Sequence, residues 1–230
     1  MNSDISSKEW AQHYSDFKAW LASDLGIPDR FLQTLKEDDD WTYIIKLHAL
    51  IEAALNHLLA FHFRALPLAK VFSNLDTSNK RCGKVAFVRA LGLLPEDACK
   101  FISLLSEIRN FLVHDARKFV FSIDDYFCSL DKHQRKNFVM AASSGFLPAT
   151  EIAGKIMEPE EIAGTYPRYA IFAASFVVVT RTHHYRKQVE HDHRIDQAMI
   201  RLGELAFQSF GHNIPQRAIS NLSGNHSANI

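Results

Sequence analysis

Apolar residues recur at helical spacing through most of this chain. Between residues 8 and 25, Trp10, Tyr14, Phe17, Trp20 and Leu21 follow at steps of four, three, three and one, which predicts an amphipathic helix. Gly26 supplies a stop, and Pro28 suits the start of a short helical turn through Leu35. Asp39 or Asp40 then offers an N-cap for one long helix over residues 41–66, with carboxylates favourable at its positive end. Its apolar side holds Ile44, Leu47, His48, Ile51, Leu55, Leu58, Leu59 and Phe63, broad enough for contacts on more than one flank. Pro67 ends or bends it, residues 70–84 read as a turn-rich linker, and 84–94 as a short helix. Pro95, Glu96 and Asp97 open the next helix, whose segment 101–118 buries Phe101, Leu104, Leu105, Ile108, Phe111 and Leu112 on one face. Phe119-Val120-Phe121 is too short to demand a sheet, and 124–140 returns to helical spacing through Tyr126, Phe127, Leu130 and Phe138. After a loop at 143–148, two helices are expected at about 168–190 and 192–210, with a polar connector between them and Gly211 as a stop. From His212 the periodicity is lost, which predicts a disordered tail. The expected fold class is all-α.

The polar positions of the 101–118 helix draw attention to chemistry. Ser103, Glu107, Asn110 and His114 share one stripe at steps of four, three and four, opposite the apolar face. Arg109 lies between the faces, about 140° around an ideal helix from His114. One helix therefore cannot aim both side chains at one atom without help. Histidine moves a proton near neutrality, guanidinium grips phosphate oxygens through two parallel hydrogen bonds, and asparagine can orient either partner. Such a trio suits phosphodiester cleavage. The plainer reading is that Glu107 and Arg109 are solvated and His114 marks the helix end, where a cation suits the dipole. A second stripe, His48, Glu52 and Asn56, runs along the long helix; were the two helices to pack together, His48 or Glu52 could support His114.

The string Arg109-Asn110-Phe111-Leu112-Val113-His114 fits the R-N-x3-H form of the R-x(4–6)-H motif of HEPN domains. Over about 41–121 the chain resembles that superfamily, with a long helix, a basic loop, a short helix and the motif helix in the same order. The resemblance implies a HEPN-like helical bundle with additional N- and C-terminal helices. Residues 1–40 would be an N-terminal helical extension, 41–140 the core, 141–211 C-terminal helices packing on it, and 212–230 the tail. Many HEPN proteins are metal-independent endoribonucleases of toxin modules, phage defence and RNA processing, with the active site composed from two protomers at their motif helices. Carried over, Arg109 would bind the scissile phosphate, Asn110 would position it or the histidine, and His114 would activate the ribose 2′-hydroxyl or protonate the leaving oxygen. Other members are catalytically silent and only bind, so a regulatory module acting through a protein or nucleic-acid partner is the alternative. The implied partners are an RNA substrate, a second copy of the chain and an antitoxin or defence-complex protein. No cofactor is expected.

Charge narrows where RNA could be held. Lys and Arg total 26 against 26 Asp and Glu, so a phosphate backbone would have to meet a local patch rather than a basic surface. Arg117 and Lys118 follow His114, while Lys80, Arg81 and Lys84 cluster in the linker; these five are the candidate RNA contacts. His183, His184, His191 and His193, near Glu190 and Asp192, could suggest a metal site, but Arg181, Arg186, Lys187 and Arg194 would oppose a bound cation, and a solvated connector is expected. Cys82, Cys99 and Cys128 form no C-x-x-C pair, which argues against a disulfide framework or a zinc site and suits a reducing cytoplasm. No basic and apolar signal segment is seen at the start, and the longest strongly apolar run, 169–179, is short of the roughly 18 residues of a membrane helix. There is no G-x-S-x-G elbow, Gly-rich phosphate loop or H-E-x-x-H, which disfavours a serine hydrolase or an ATPase.

Overall fold

In a computed structural model the fold is all-α, and among the described residues the strands are those of one short hairpin. The structure describes residues 7–211 except Asp29, Lys80 and Ala153, so the expected tail at 212–230 and the candidate Lys80 lie outside the described residues. The residues fall into two compact units, Met1–Arg186 and Lys187–Ile230.

The first unit is built around α3 (Asp40–His62). Asp39 caps it, accepting from Thr42 N at 3.0 Å and from Thr42 Oγ1 at 2.6 Å. These bonds satisfy one of the free donors of the first turn and hold the Asp39 carboxyl below its ordinary range. The helix stops at His62 rather than continuing to residue 66, because Arg64 adopts a left-handed φ of 53° and Ala65 N turns back to Ala60 O at 3.0 Å. α1 (Ser7–Ser23) and α2 (Phe31–Glu37) precede it, and α4 (Leu68–Phe72) interrupts what the residue types suggest is a continuous linker. α5 (Lys84–Ala90) leads through Gly92, at a positive φ of 64°, to α6 (Glu96–Val113), with Glu96 and Asp97 in its first turn.

α3 and α6 bury their apolar stripes together, with Ile44, Leu47, Ile51 and Leu55 of the first and Phe101, Ile102, Leu105, Ile108 and Leu112 of the second all in one core. By length and composition α3 could also cross a membrane, but 56% of its most apolar window is buried within the fold. Ala116–Phe119 is a 3-10 turn, followed by α7 (Ile123–Ser129) and α8 (Lys132–Ala142), the latter closed by a reciprocal capping box of Asp131 and Gln134. β1 (Thr150–Ile152) and β2 (Lys155–Met157) form an antiparallel hairpin that the helical periodicity did not foretell, with Glu151 opposite Ile156. α9 (Pro159–Thr165) follows.

α10 (Pro167–Gly211) is one helix where two with a polar connector are expected. Residues 183–193 contain no Gly or Pro, so nothing in the backbone forces a break there. Its early turns place Ala170, Ile171, Ala174, Val178 and Val179 in the core of the first unit. The expected boundaries at 40/41 and 140/141 both fall inside that unit. The second unit contains the remainder of α10, in which Ile195, Met199, Ile200 and Leu202 are exposed.

Candidate functional site

α6 carries the motif at its C-terminal end. Arg109 and Asn110 are half-buried within the helix, whereas His114 is its exposed C-cap at φ −86° and ψ −4°. Arg109 Nη1 donates to Asn110 Oδ1 at 3.0 Å, which fixes one edge of the guanidinium. Both residues border a polar cavity of about 340 Å3 whose other walls include His48 and Glu52 of α3, Ser106 of α6 and the loop around Thr77. His114 is outside this cavity, and among the described residues no hydrogen bond joins it to Arg109. Arg109 and His114 therefore do not line one cavity.

The second stripe does meet the motif helix. His48 is 7% exposed, and its Nε2 lies 3.2 Å from Ser106 Oγ. Ser106 gives its own hydrogen to Ile102 O at 2.9 Å, so the hydrogen on the histidine side belongs to Nε2, which donates. Nδ1 is then left bare, 3.9 Å from Glu52 Oε2. Burial holds the imidazole below its ordinary 6.5; Glu52 pulls in the other direction, and Arg109 and Lys84 reinforce the depression. His48 therefore faces Arg109 and the cavity as a neutral ring, and nothing places it on His114.

Glu52 is the hinge of this region. Its Oε1 is bonded by Lys84 Nζ and accepts from Thr77 Oγ1 at 3.1 Å. Burial by itself would raise its carboxyl, but the bond and charge of Lys84, with His48 and Thr77, leave it below the ordinary carboxylate value. Lys84 is 0% exposed. This corrects the expectation that it contacts RNA, since its charge is spent inside the protein, where the start of α5 is pinned beneath the loop by Lys84 N to Asp76 O at 3.0 Å. No local signal announces that burial, because a lysine among linker residues reads as solvated. The stripe of His48, Glu52 and Asn56 was the one available pointer to its acidic partner.

The other candidate RNA contacts differ in what they offer. Arg81 is exposed, and among the described residues only its backbone N is tied, to Asn79 Oδ1 at 2.9 Å. Lys118 folds back, its Nζ 3.0 Å above the Phe111 ring centroid and donating to Phe111 O at 2.9 Å, so it closes one of the free carbonyls of α6. Arg117 lies in the 3-10 turn after His114, with its side chain outside the described residues. Beside the histidine, Phe111 and Val113 remain 43% and 41% exposed, an apolar rim to the end of α6.

Of the late histidines, His193 and its neighbour Asp192 have side chains outside the described residues. Among the described residues no group of three or more His, Cys, Asp or Glu is arranged to hold a metal ion. Compared with known proteins, this chain matches no family model, no curated protein and no solved structure.

Proposed function

We propose that this protein is a metal-independent endoribonuclease of the HEPN type, working as a homodimer in a toxin or phage-defence setting. The observation that carries the reading is the division of the motif at the end of α6. An Asn110-oriented guanidinium borders a polar cavity while His114 stands exposed one turn further on. A second copy, its α6 end opposed to the first, would present His114 to the partner's phosphate-binding arginine, and the exposed Phe111 and Val113 supply apolar area for such a contact.

In that arrangement Arg109 takes the non-bridging oxygens of the scissile phosphate and Asn110 keeps its guanidinium aligned. The ribose 2′-oxygen bonds to phosphorus as the bond from phosphorus to the 5′-oxygen breaks. His114 accepts the 2′-hydroxyl proton or gives one to the departing 5′-oxygen. The products are a 2′,3′-cyclic phosphate and a 5′-hydroxyl. Arg81, which is exposed, would meet the flanking backbone, while Lys118 would have to leave its contact with Phe111 to do so.

The test is incubation of the purified protein with end-labelled RNAs in excess EDTA beside a His114→Ala preparation. Cyclic phosphate ends should form and should fall by about a hundredfold or more with the substitution. Mixing His114→Ala with Arg109→Ala protein should restore part of the activity if each site draws on both protomers. An undiminished rate in clean His114→Ala protein sinks the proposal. A folded preparation that binds RNA or a partner protein without cleaving favours the silent HEPN-like module, a reading supported by the scarcity of uncommitted cations around the motif.

A further inference from the structure

A second cavity, of about 420 Å3, lies where α2, α3, α7, α9 and α10 meet within the first unit. That volume falls in the range of small-molecule sites, about 300–1,000 Å3. Lys36 of α2 and Asp124 of α7 both line it, and both are exposed. Among the described residues neither side chain makes a hydrogen bond or an ion pair, with the other or elsewhere. An ammonium and a carboxylate that share one cleft without closing on each other leave room for a ligand that carries both signs of charge.

The remaining charge on the wall is already matched. Arg168 pairs with Asp40, donates from Nη2 to Asp38 O at 2.8 Å and lies 4.2 Å over the Tyr43 ring. Tyr43 in turn donates its hydroxyl to Arg168 O at 3.1 Å, and Asp40 also accepts from Ile123 N at 2.7 Å. This frame ties α3, α7 and α10 together, so the cavity wall is set before any ligand arrives. With Arg168 balanced by Asp40 and Lys36 by Asp124, a ligand of a single sign would satisfy one free group and meet the other as a like charge. A zwitterion satisfies both. Four rings supply the apolar part of the wall: Tyr43 is buried, Phe172 half-buried, and Tyr166 and Tyr169 are 43% and 49% exposed, so ring surface stays open at the rim. Such walls favour a further ring, packed offset or edge to face.

We propose that this cavity binds a free aromatic α-amino acid as its zwitterion. The ligand carboxylate meets Lys36, its ammonium donates to the Asp124 carboxylate, and its ring packs against Tyr166, Tyr169 and Phe172. A residue inside a peptide lacks both charges and a terminal residue keeps only one, so the free amino acid is the form that uses the whole site. The assignment stands on the cavity alone and does not depend on the cleavage chemistry proposed for α6.

Calorimetry on the full-length protein at neutral pH compares phenylalanine with phenethylamine, which lacks the carboxylate, 3-phenylpropionate, which lacks the ammonium, and leucine, which lacks the ring. Phenylalanine should bind, and each analogue should bind about fivefold or more weakly. Lys36→Ala should bring phenylalanine down to the level of phenethylamine, whose own binding does not weaken. Asp124→Asn should bring it down to the level of 3-phenylpropionate in the same way. Tyr169→Ala should weaken phenylalanine about tenfold, while Tyr169→Phe keeps the ring and the affinity. The proposal is overturned if phenylalanine does not bind the folded protein, or if Lys36→Ala and Asp124→Asn both leave its binding unchanged. It is overturned equally if leucine or either singly charged analogue binds as tightly as phenylalanine, the latter pointing to the terminus of a peptide instead. The substituted side chains are exposed, so unfolding midpoints close to the parent's should accompany each variant.

Discussion

Lys84 shows how far the fate of a side chain can depart from its type. A fully buried ammonium is tolerable only with a charged partner, and Glu52, whose side chain is 33% exposed, provides it. Lys84→Met should therefore destabilise the protein by about 1–3 kcal/mol, the low side of what a broken buried pair costs, because Glu52 can regain water. Replacing both members, Lys84→Met with Glu52→Leu, should recover much of that loss. Urea midpoints for the two singles and the double make the comparison, and a double variant no more stable than Lys84→Met would show that the pair is not the unit that matters. His48 carries a parallel lesson. Its periodicity marks it as an inward position of α3, and only the Ser106 and Ile102 bonds decide which of its nitrogens holds the hydrogen.

At the scale of elements, the packing of the loop after α8 onto α10 rests on one absent side chain. A Cβ added to Gly145 would fall on Ala174 N and lie 2.6 Å from the Ala173 carbonyl carbon, backbone that cannot swing aside. Gly145→Ala should cost roughly 1–3 kcal/mol as the two segments are pushed apart. Gly164, inside α9, is the internal control, since its Cβ would meet only Val139 Cγ2 at 3.9 Å. Gly164→Ala should be neutral or stabilising by up to about 1 kcal/mol. Thermal unfolding of the two variants in parallel decides it, and equal midpoints would mean that the contact at Gly145 relaxes freely. The same elements show the reach of local sequence. Glu-Ile-Ala-Gly occurs at 151–154 and again at 161–164, yet Glu151 and Ile152 lie in β1 with Gly154 turning at φ 80°, while the second copy is helical. Pro159 at the first helical positions of α9 and buried Ile162 favour the helix in one case; pairing with β2 favours the strand in the other.

For the whole molecule, buried His48 and half-buried His57 contribute to how stability responds to acid. His48 and His57 are both held below their ordinary 6.5 by burial, so as pH falls below about 6.5 the unfolded chain takes up protons that the native chain refuses. More protons bound to the unfolded state means that stability rises with pH, and is lost on acidification through this window. Glu52, held below its ordinary 4.5, adds a further loss at lower pH for the same reason. Unfolding free energies at about pH 7.5 and about pH 5.5 should therefore differ less in His48→Gln than in the parent, with His57 retaining part of the slope. Identical slopes would remove His48 from the acid response.

The sequence by itself determined the all-α class, most helix positions and the placement of Arg109, Asn110 and His114 around one helix end. These follow from spacing, caps and 3.6-residue geometry, which act within a few residues of chain. It could not determine where α3 stops, since Arg64 offers no glycine-like signal for a left-handed turn, nor that 168–210 is one helix. Tertiary structure alone decided that Lys84 faces Glu52 rather than solvent, that His48 meets Ser106, and that Lys36 and Asp124 border one aromatic cavity. Each of those outcomes joins side chains from different helices. Their meeting depends on which faces pack and at what register, a property of the assembled core that no single periodic segment encodes.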